Sequence, residues 1–100
     1  MSRVLIERRL FDVAQRLKRA REELALIEEQ LAVFTDAAED ARIRSLVSET
    51  PLAHREYTDA ARHVEAMERS RRSVADEVAE LQVTQDELLD RLISDDPARS

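Results

Sequence analysis

The sequence predicts an all-α protein, a long antiparallel two-helix coiled-coil hairpin that dimerises into a four-helix bundle. Three observations support this fold class. Apolar residues recur at alternating steps of four and three through two long stretches, a proline separates the stretches, and the chain contains no glycine. The alternating spacing is typical of a coiled-coil seam. The absence of glycine argues against tight β-turns, which need residues with positive φ.

The first apolar stretch predicts a helix over residues 2–47. Its apolar seam residues stay on one side of the helix over five heptads. The seam residues are Ile6, Leu10, Val13, Leu17, Ala20, Leu24, Ile27, Leu31, Phe34, Ala38 and Ala41. Asp36 and Glu39 have the spacing of a capping box, so a break of this helix near Thr35 is the open alternative.

The segment between the two stretches predicts a turn at residues 48–50. Pro51 cannot continue a preceding helix, because its ring clashes with the preceding turn and it has no N–H group. It suits the first turn of a new helix, with Thr50 as the N-cap residue. One helix therefore ends before Thr50 and another begins at Pro51.

The second stretch predicts a helix over residues 51–94, ended by the breaker Pro97. Its seam residues are Ala53, Tyr57, Ala60, Val64, Met67, Arg71, Val74, Val78, Leu81, Gln85, Leu88 and Leu92. Residues 1–96 are thus expected to form a single helical hairpin, and residues 97–100 a frayed tail.

Pairing the two seams antiparallel gives a definite register, in which the numbers of facing residues add to 98 and Leu17 faces Leu81. Charge favours the same orientation. Residues 3–21 carry seven bases and two acids, whereas residues 76–100 carry two bases and eight acids. Arg71 and Gln85 are the polar residues of the second seam, and we expect them to set the register of the helices.

Several apolar residues lie outside the seam, and a two-helix hairpin cannot cover them. A second apolar stripe needs a second partner, and two hairpins packed as a four-helix bundle would bury it. The sequence therefore predicts a homodimer, and the alternative is a heterologous partner on the same surface. The predicted dimerisation residues are Phe11, Ala25, Leu26, Ala32, Val33 and Leu89.

The predicted tip of the hairpin combines apolar side chains with arginine, where solvent would favour polar ones. This composition predicts a partner-binding tip for an unidentified protein. The candidate residues are Ile43, Arg44, Leu46, Val47 and Leu52.

The composition excludes several kinds of chemistry. Without glycine there is no phosphate-binding loop, and without cysteine there is no thiolate nucleophile or zinc knuckle. Asp59 and His63 have the i, i+4 spacing of metal ligands, but two ligands are too few for a closed site. We therefore predict no catalytic, cofactor-binding or metal-binding residue.

A basic band between Arg8 and Arg21 suggests contact with polyanions. The acidic segment expected beside it and the net charge of −6 favour interhelical charge pairing over nucleic-acid binding. The longest apolar runs reach only three or four residues, so no membrane span is predicted. Charges near Met1 also argue against a secretory signal, and a cytoplasmic protein is expected.

Residues 52–62, LAHREYTDAAR, resemble the coiled-coil arm of Gre-type transcript-cleavage factors just past its tip. That resemblance implies a hairpin that enters the secondary channel of RNA polymerase. Pro51 stands where the family has its tip aspartate, and His54 and Arg55 stand where an acidic residue is expected. Because transcript cleavage needs those acids to hold Mg²⁺, the resemblance implies a channel binder without cleavage activity.

The stretch RVLIERRLFDVAQRL at residues 3–17 and the overall pattern resemble short arginine-rich coiled-coil proteins of actinobacteria, which implies no activity. Taken together, the sequence predicts a non-enzymatic interaction or scaffold protein. The alternative is a regulator that inserts its tip into a large machine such as RNA polymerase or the ribosome.

Overall fold

The computed structural model describes residues 2–94. Within these residues the chain forms two α-helices and no strand. Helix α1 spans Arg3–Ser48 with 46 residues, and helix α2 spans Pro51–Ser94 with 44 residues. The predicted all-α architecture of two long helices is therefore confirmed. The frayed tail predicted at residues 97–100 lies outside the described residues.

Helix α1 begins one residue later than predicted, because Ser2 caps it from outside. The Leu5 backbone N–H donates to Ser2 Oγ at 3.3 Å, and the Ile6 N–H donates to the Ser2 carbonyl at 3.1 Å. A serine side chain that accepts from the third helical residue is the usual N-cap arrangement. The sequence carries this signal, a serine just before the first periodic residues, although the prediction did not use it.

The turn between the helices contains two residues, Glu49 and Thr50. Thr50 Oγ1 accepts a hydrogen bond from the Ala53 N–H at 3.1 Å, which confirms Thr50 as the N-cap of α2. Glu49 has φ of 51°, in the left-handed region, and its N–H donates to the Ser45 carbonyl at 3.2 Å. This is the backbone geometry with which helices commonly end, and glycine usually occupies the position.

Replacing Glu49 with glycine is expected to stabilise the protein by about 0.5–1 kcal/mol, because glycine adopts positive φ without the Cβ clash. The midpoint of urea unfolding, followed by circular dichroism at a fixed protein concentration, should rise. Ser48→Gly is the matched control, since Ser48 lies within α1 and glycine there should destabilise the helix. A midpoint for Glu49→Gly at or below that of the natural chain would contradict this account of the turn.

Helix α1 runs without interruption through the possible break near Thr35. Glu39, the second member of the suspected capping box, instead pairs with Arg42 one turn further along, with Oε1 2.6 Å from Arg42 Nη2. The spacing of Asp36 and Glu39 is therefore a local coincidence within one helix.

The packing of the chain divides into two compact units. The terminal unit comprises Met1–Glu23 with Val74–Ser100, and the turn unit comprises Leu24–Ser73. In residues 2–94, every buried hydrophobic residue occupies a predicted seam position, so the seam prediction is confirmed. Those residues are Ile6, Val13, Leu17, Ala20, Ala41, Ala53, Val74, Leu81 and Leu88.

The two units differ in how much they bury. The terminal unit has a hydrophobic cluster that both helices supply, and Leu17 and Leu81, the predicted facing pair, both belong to it. In the turn unit, the buried hydrophobic residues among those described are the two alanines Ala41 and Ala53. Its larger seam residues, such as Leu31 and Met67, stay half-buried. The helix pair of the turn unit therefore lacks a core of large side chains.

Candidate interaction surfaces

The residues predicted to form one dimerisation stripe are all exposed, and those of the turn unit lie on two different sides of α1. Phe11 and Leu89 belong to the terminal unit, and the other four belong to the turn unit. On an α-helix, neighbouring residues point about 100° apart, whereas residues seven apart point the same way. Leu26 and Val33 therefore share one side of α1, while Ala25 and Ala32 share another.

Phe34 marks the side of the turn unit on which Leu26 and Val33 lie. It is the one seam residue among those described that counts as exposed, at 40%. Its ring lies edge-to-face against the ring of His63 on α2, with centroids 4.4 Å apart and planes 79° apart. Edge-to-face aromatic pairs are favourable beyond the area that they bury. The sequence suggests His63 only as a possible metal ligand and does not predict its ring contact with Phe34.

A groove lies on the other side of the turn unit, where the half-buried Arg71 emerges from the seam. Glu28 and Asp36 line the same groove. The residues that line it are Glu28, Leu31, Ala32, Thr35, Asp36 and Arg71. Ala32 of the predicted stripe thus lies on a surface that also carries charged residues.

Gln85, the second predicted register residue, is half-buried and takes part in a polar network of the terminal unit. Gln82 Nε2 donates to Gln85 Oε1 at 3.2 Å and to Asp86 Oδ1 at 3.3 Å. Arg21 Nη2 on α1 donates to Gln82 Oε1 on α2. This hydrogen bond from Arg21 to Gln82 joins the two helices. The sequence did not predict it, because both residues flank the seam rather than lie in it.

Residues of the predicted basic band line a second groove of the terminal unit. There Arg9 and Arg16 on α1 share the groove with Glu77 and Glu80 on α2. Opposite charges on facing helices favour this pairing over a like-charged one, although each exposed pair adds only a few tenths of a kcal/mol. Part of the basic band thus faces acidic residues, as the charge pattern predicted.

The tip residues of the turn unit are exposed. Val47 is 79% exposed, the largest fraction among the exposed large hydrophobic residues of the described chain, and Leu46 and Leu52 are 63% and 61% exposed. Ile43 and Arg44 are exposed on the preceding turn of α1. The structure thus displays this predicted surface to solvent.

The ion pair between Glu39 and Arg42 shifts the pKa of both its members. The hydrogen bond from the Arg42 guanidinium lowers the pKa of the Glu39 carboxyl, and the same bond raises the pKa of Arg42. Because the folded-state pKa of Glu39 is lowered, the ion pair stabilises α1 at pH values above the ordinary carboxyl pKa. This stabilisation is lost as the pH falls through the lowered pKa.

Asp59 and His63, considered above as a metal pair, have no further ligand nearby. Among residues 2–94, no group of three or more His, Cys, Asp or Glu side chains is placed to hold a metal ion. In that part of the chain, neither helix contains a stretch that is apolar over enough residues to cross a membrane. Comparison with models of protein families, with curated proteins and with solved structures found no match for this chain.

Proposed function

We propose that this protein is a non-enzymatic coiled-coil interaction protein that dimerises into a four-helix bundle and serves as a scaffold. One observation supports this most strongly. Among residues 2–94, thirteen large hydrophobic residues are exposed, whereas six large hydrophobic residues are buried. This excess of exposed over fully buried large apolar side chains supports a surface that another protein covers.

Self-association fits this imbalance physically. Burial stabilises by about 25 cal/mol for each Å² of apolar surface removed from water, and covering several leucine- or valine-sized groups opposes the entropy lost on association. A pair of long helices buries little apolar surface by itself. Helices in proteins gain most of their stability from tertiary packing, so such a pair is more stable when it packs against further helices. A second hairpin supplies that packing, and the exposed tip is then left for another partner.

Dimerisation is tested by heat stability and mass over a wide dilution series. Because only the folded chains associate, the melting temperature of a dimer should fall by about 3 °C for each tenfold dilution. Sedimentation equilibrium should give twice the chain mass at high concentration and approach the mass of 11.5 kDa on dilution. A mass of 11.5 kDa at every concentration, together with a melting temperature that does not depend on concentration, would overturn self-association.

A further inference from the structure

We infer that the turn unit opens on its own: its two helical segments lose their pairing and unwind while the terminal unit stays folded. The inference goes beyond the proposed scaffold function and does not depend on self-association. It rests on how differently the two units bury their seam residues, and on the dependence of helices on packing.

The seam of the terminal unit is well buried. Seven of its eleven seam residues are buried, and six of these seven are valine, leucine or isoleucine. The seven are Ile6, Val13, Leu17, Ala20, Val74, Leu81 and Leu88. Burying one side chain of valine or leucine size shifts a folding equilibrium by about tenfold or more. This unit therefore has a strong reason to stay paired.

The seam of the turn unit is poorly buried. It has twelve residues, all within the described chain, and two of them are buried, Ala41 and Ala53. Nine are half-buried, and Phe34 is exposed. An alanine side chain is a single methyl group, so these two burials contribute far less than the six large ones of the terminal unit. Arg71 also interrupts the apolar seam here.

Loss of pairing in the turn unit leads to loss of helix. Helices in proteins gain most of their stability from the packing of their apolar face. When residues 24–48 and 51–73 lose that packing, they unwind, and their backbone N–H groups reach water. Local openings of this kind occur in cooperative units, and hydrogen exchange measures their free energies one unit at a time.

The opening also affects the predicted partner-binding tip, because the tip residues belong to the turn unit. A partner that binds only the folded tip adds its binding free energy to this unit, so binding would suppress the opening. This consequence rests on the proposed function of the tip, whereas the opening itself does not.

Hydrogen exchange of the natural chain, followed by mass spectrometry of its peptides, tests the inference. Amides in residues 27–38 and 57–67 should exchange at least about tenfold faster than amides in residues 10–20 and 78–88, after correction for intrinsic rates. These ranges avoid the ends of the helices, where fraying speeds exchange in any protein. Equal protection in both units would overturn the inference.

Val13→Ala and Val64→Ala are matched variants that show which unit opens first. Both shorten a seam valine, but Val13 belongs to the terminal unit and Val64 to the turn unit. The terminal unit exchanges only when the whole chain unfolds, so Val13→Ala should speed its exchange by about tenfold. It should leave exchange in the turn unit within about twofold of the natural chain.

Val64→Ala should instead speed exchange in both units by a similar factor, because the turn unit is open in the local and in the complete unfolding reaction. This asymmetry is the signature of a separate opening. A Val13→Ala variant that speeds exchange equally in both units would mean that the chain unfolds as one cooperative unit, and the inference would be wrong.

Measurement at two protein concentrations separates this inference from the proposed dimer. Exchange is first measured at a dilution where sedimentation gives the chain mass of 11.5 kDa, and then at high concentration. A chain that never associates, yet exchanges faster in the turn unit, overturns the dimer and supports the opening. A chain that associates, yet exchanges uniformly when dilute, overturns the opening and leaves the dimer standing.

Discussion

Leu17→Ala is expected to lower the free energy of unfolding by about 2–5 kcal/mol, which is a large part of the stability of a small domain. Leu17 is 2% exposed and belongs to the cluster that both helices of the terminal unit supply. The substitution removes its buried methyl groups and leaves a cavity that two rigid helices cannot fill. Urea unfolding at a fixed protein concentration measures the loss, because association would otherwise change the apparent stability.

Leu46→Ala is the matched control for this prediction. It makes the same change on the same helix, at a residue that is 63% exposed, so it should alter the free energy of unfolding by no more than about 0.5 kcal/mol. A loss at Leu46 as large as that at Leu17 would show that the seam of the terminal unit is not the main source of stability.

The seam could be predicted from sequence because it depends only on helical geometry. A 3–4 apolar spacing specifies one stripe on each helix, and the signals at Thr50 and Pro51 specify where the chain reverses. Both are local properties of consecutive residues. The buried residues and the cap of α2 accordingly agree with the prediction.

The surfaces could not be predicted in the same way, because they depend on which side of the seam each flanking residue lies. Ala32 and Val33 are neighbours in sequence, yet Ala32 lines the Arg71 groove while Val33 shares the side of Leu26 and Phe34. A list of apolar residues outside the seam merges these two sides. Only the pairing of the helices, shown by the contact of Phe34 with His63, separates them.

Arg71 is the residue whose substitution should change the assembly most without harming the fold. It occupies a seam position of α2, is half-buried, and lines a groove together with Glu28 and Asp36. We expect a charged residue at such a position to oppose other registers and oligomers, because burying an unpaired charge is costly. On this prediction, the seam gives up some stability in exchange for one defined arrangement of the helices.

Arg71→Leu is accordingly expected to raise the free energy of unfolding by about 1–2 kcal/mol, since it extends the apolar seam and removes a partly desolvated charge. It should also broaden the distribution of oligomers, so that sedimentation velocity resolves more than one species. Arg72→Leu removes the same charge at the adjacent exposed position and should change neither quantity appreciably. A less stable Arg71→Leu variant with one species would instead mean that the guanidinium stabilises this seam through Glu28 and Asp36 rather than specifying its register.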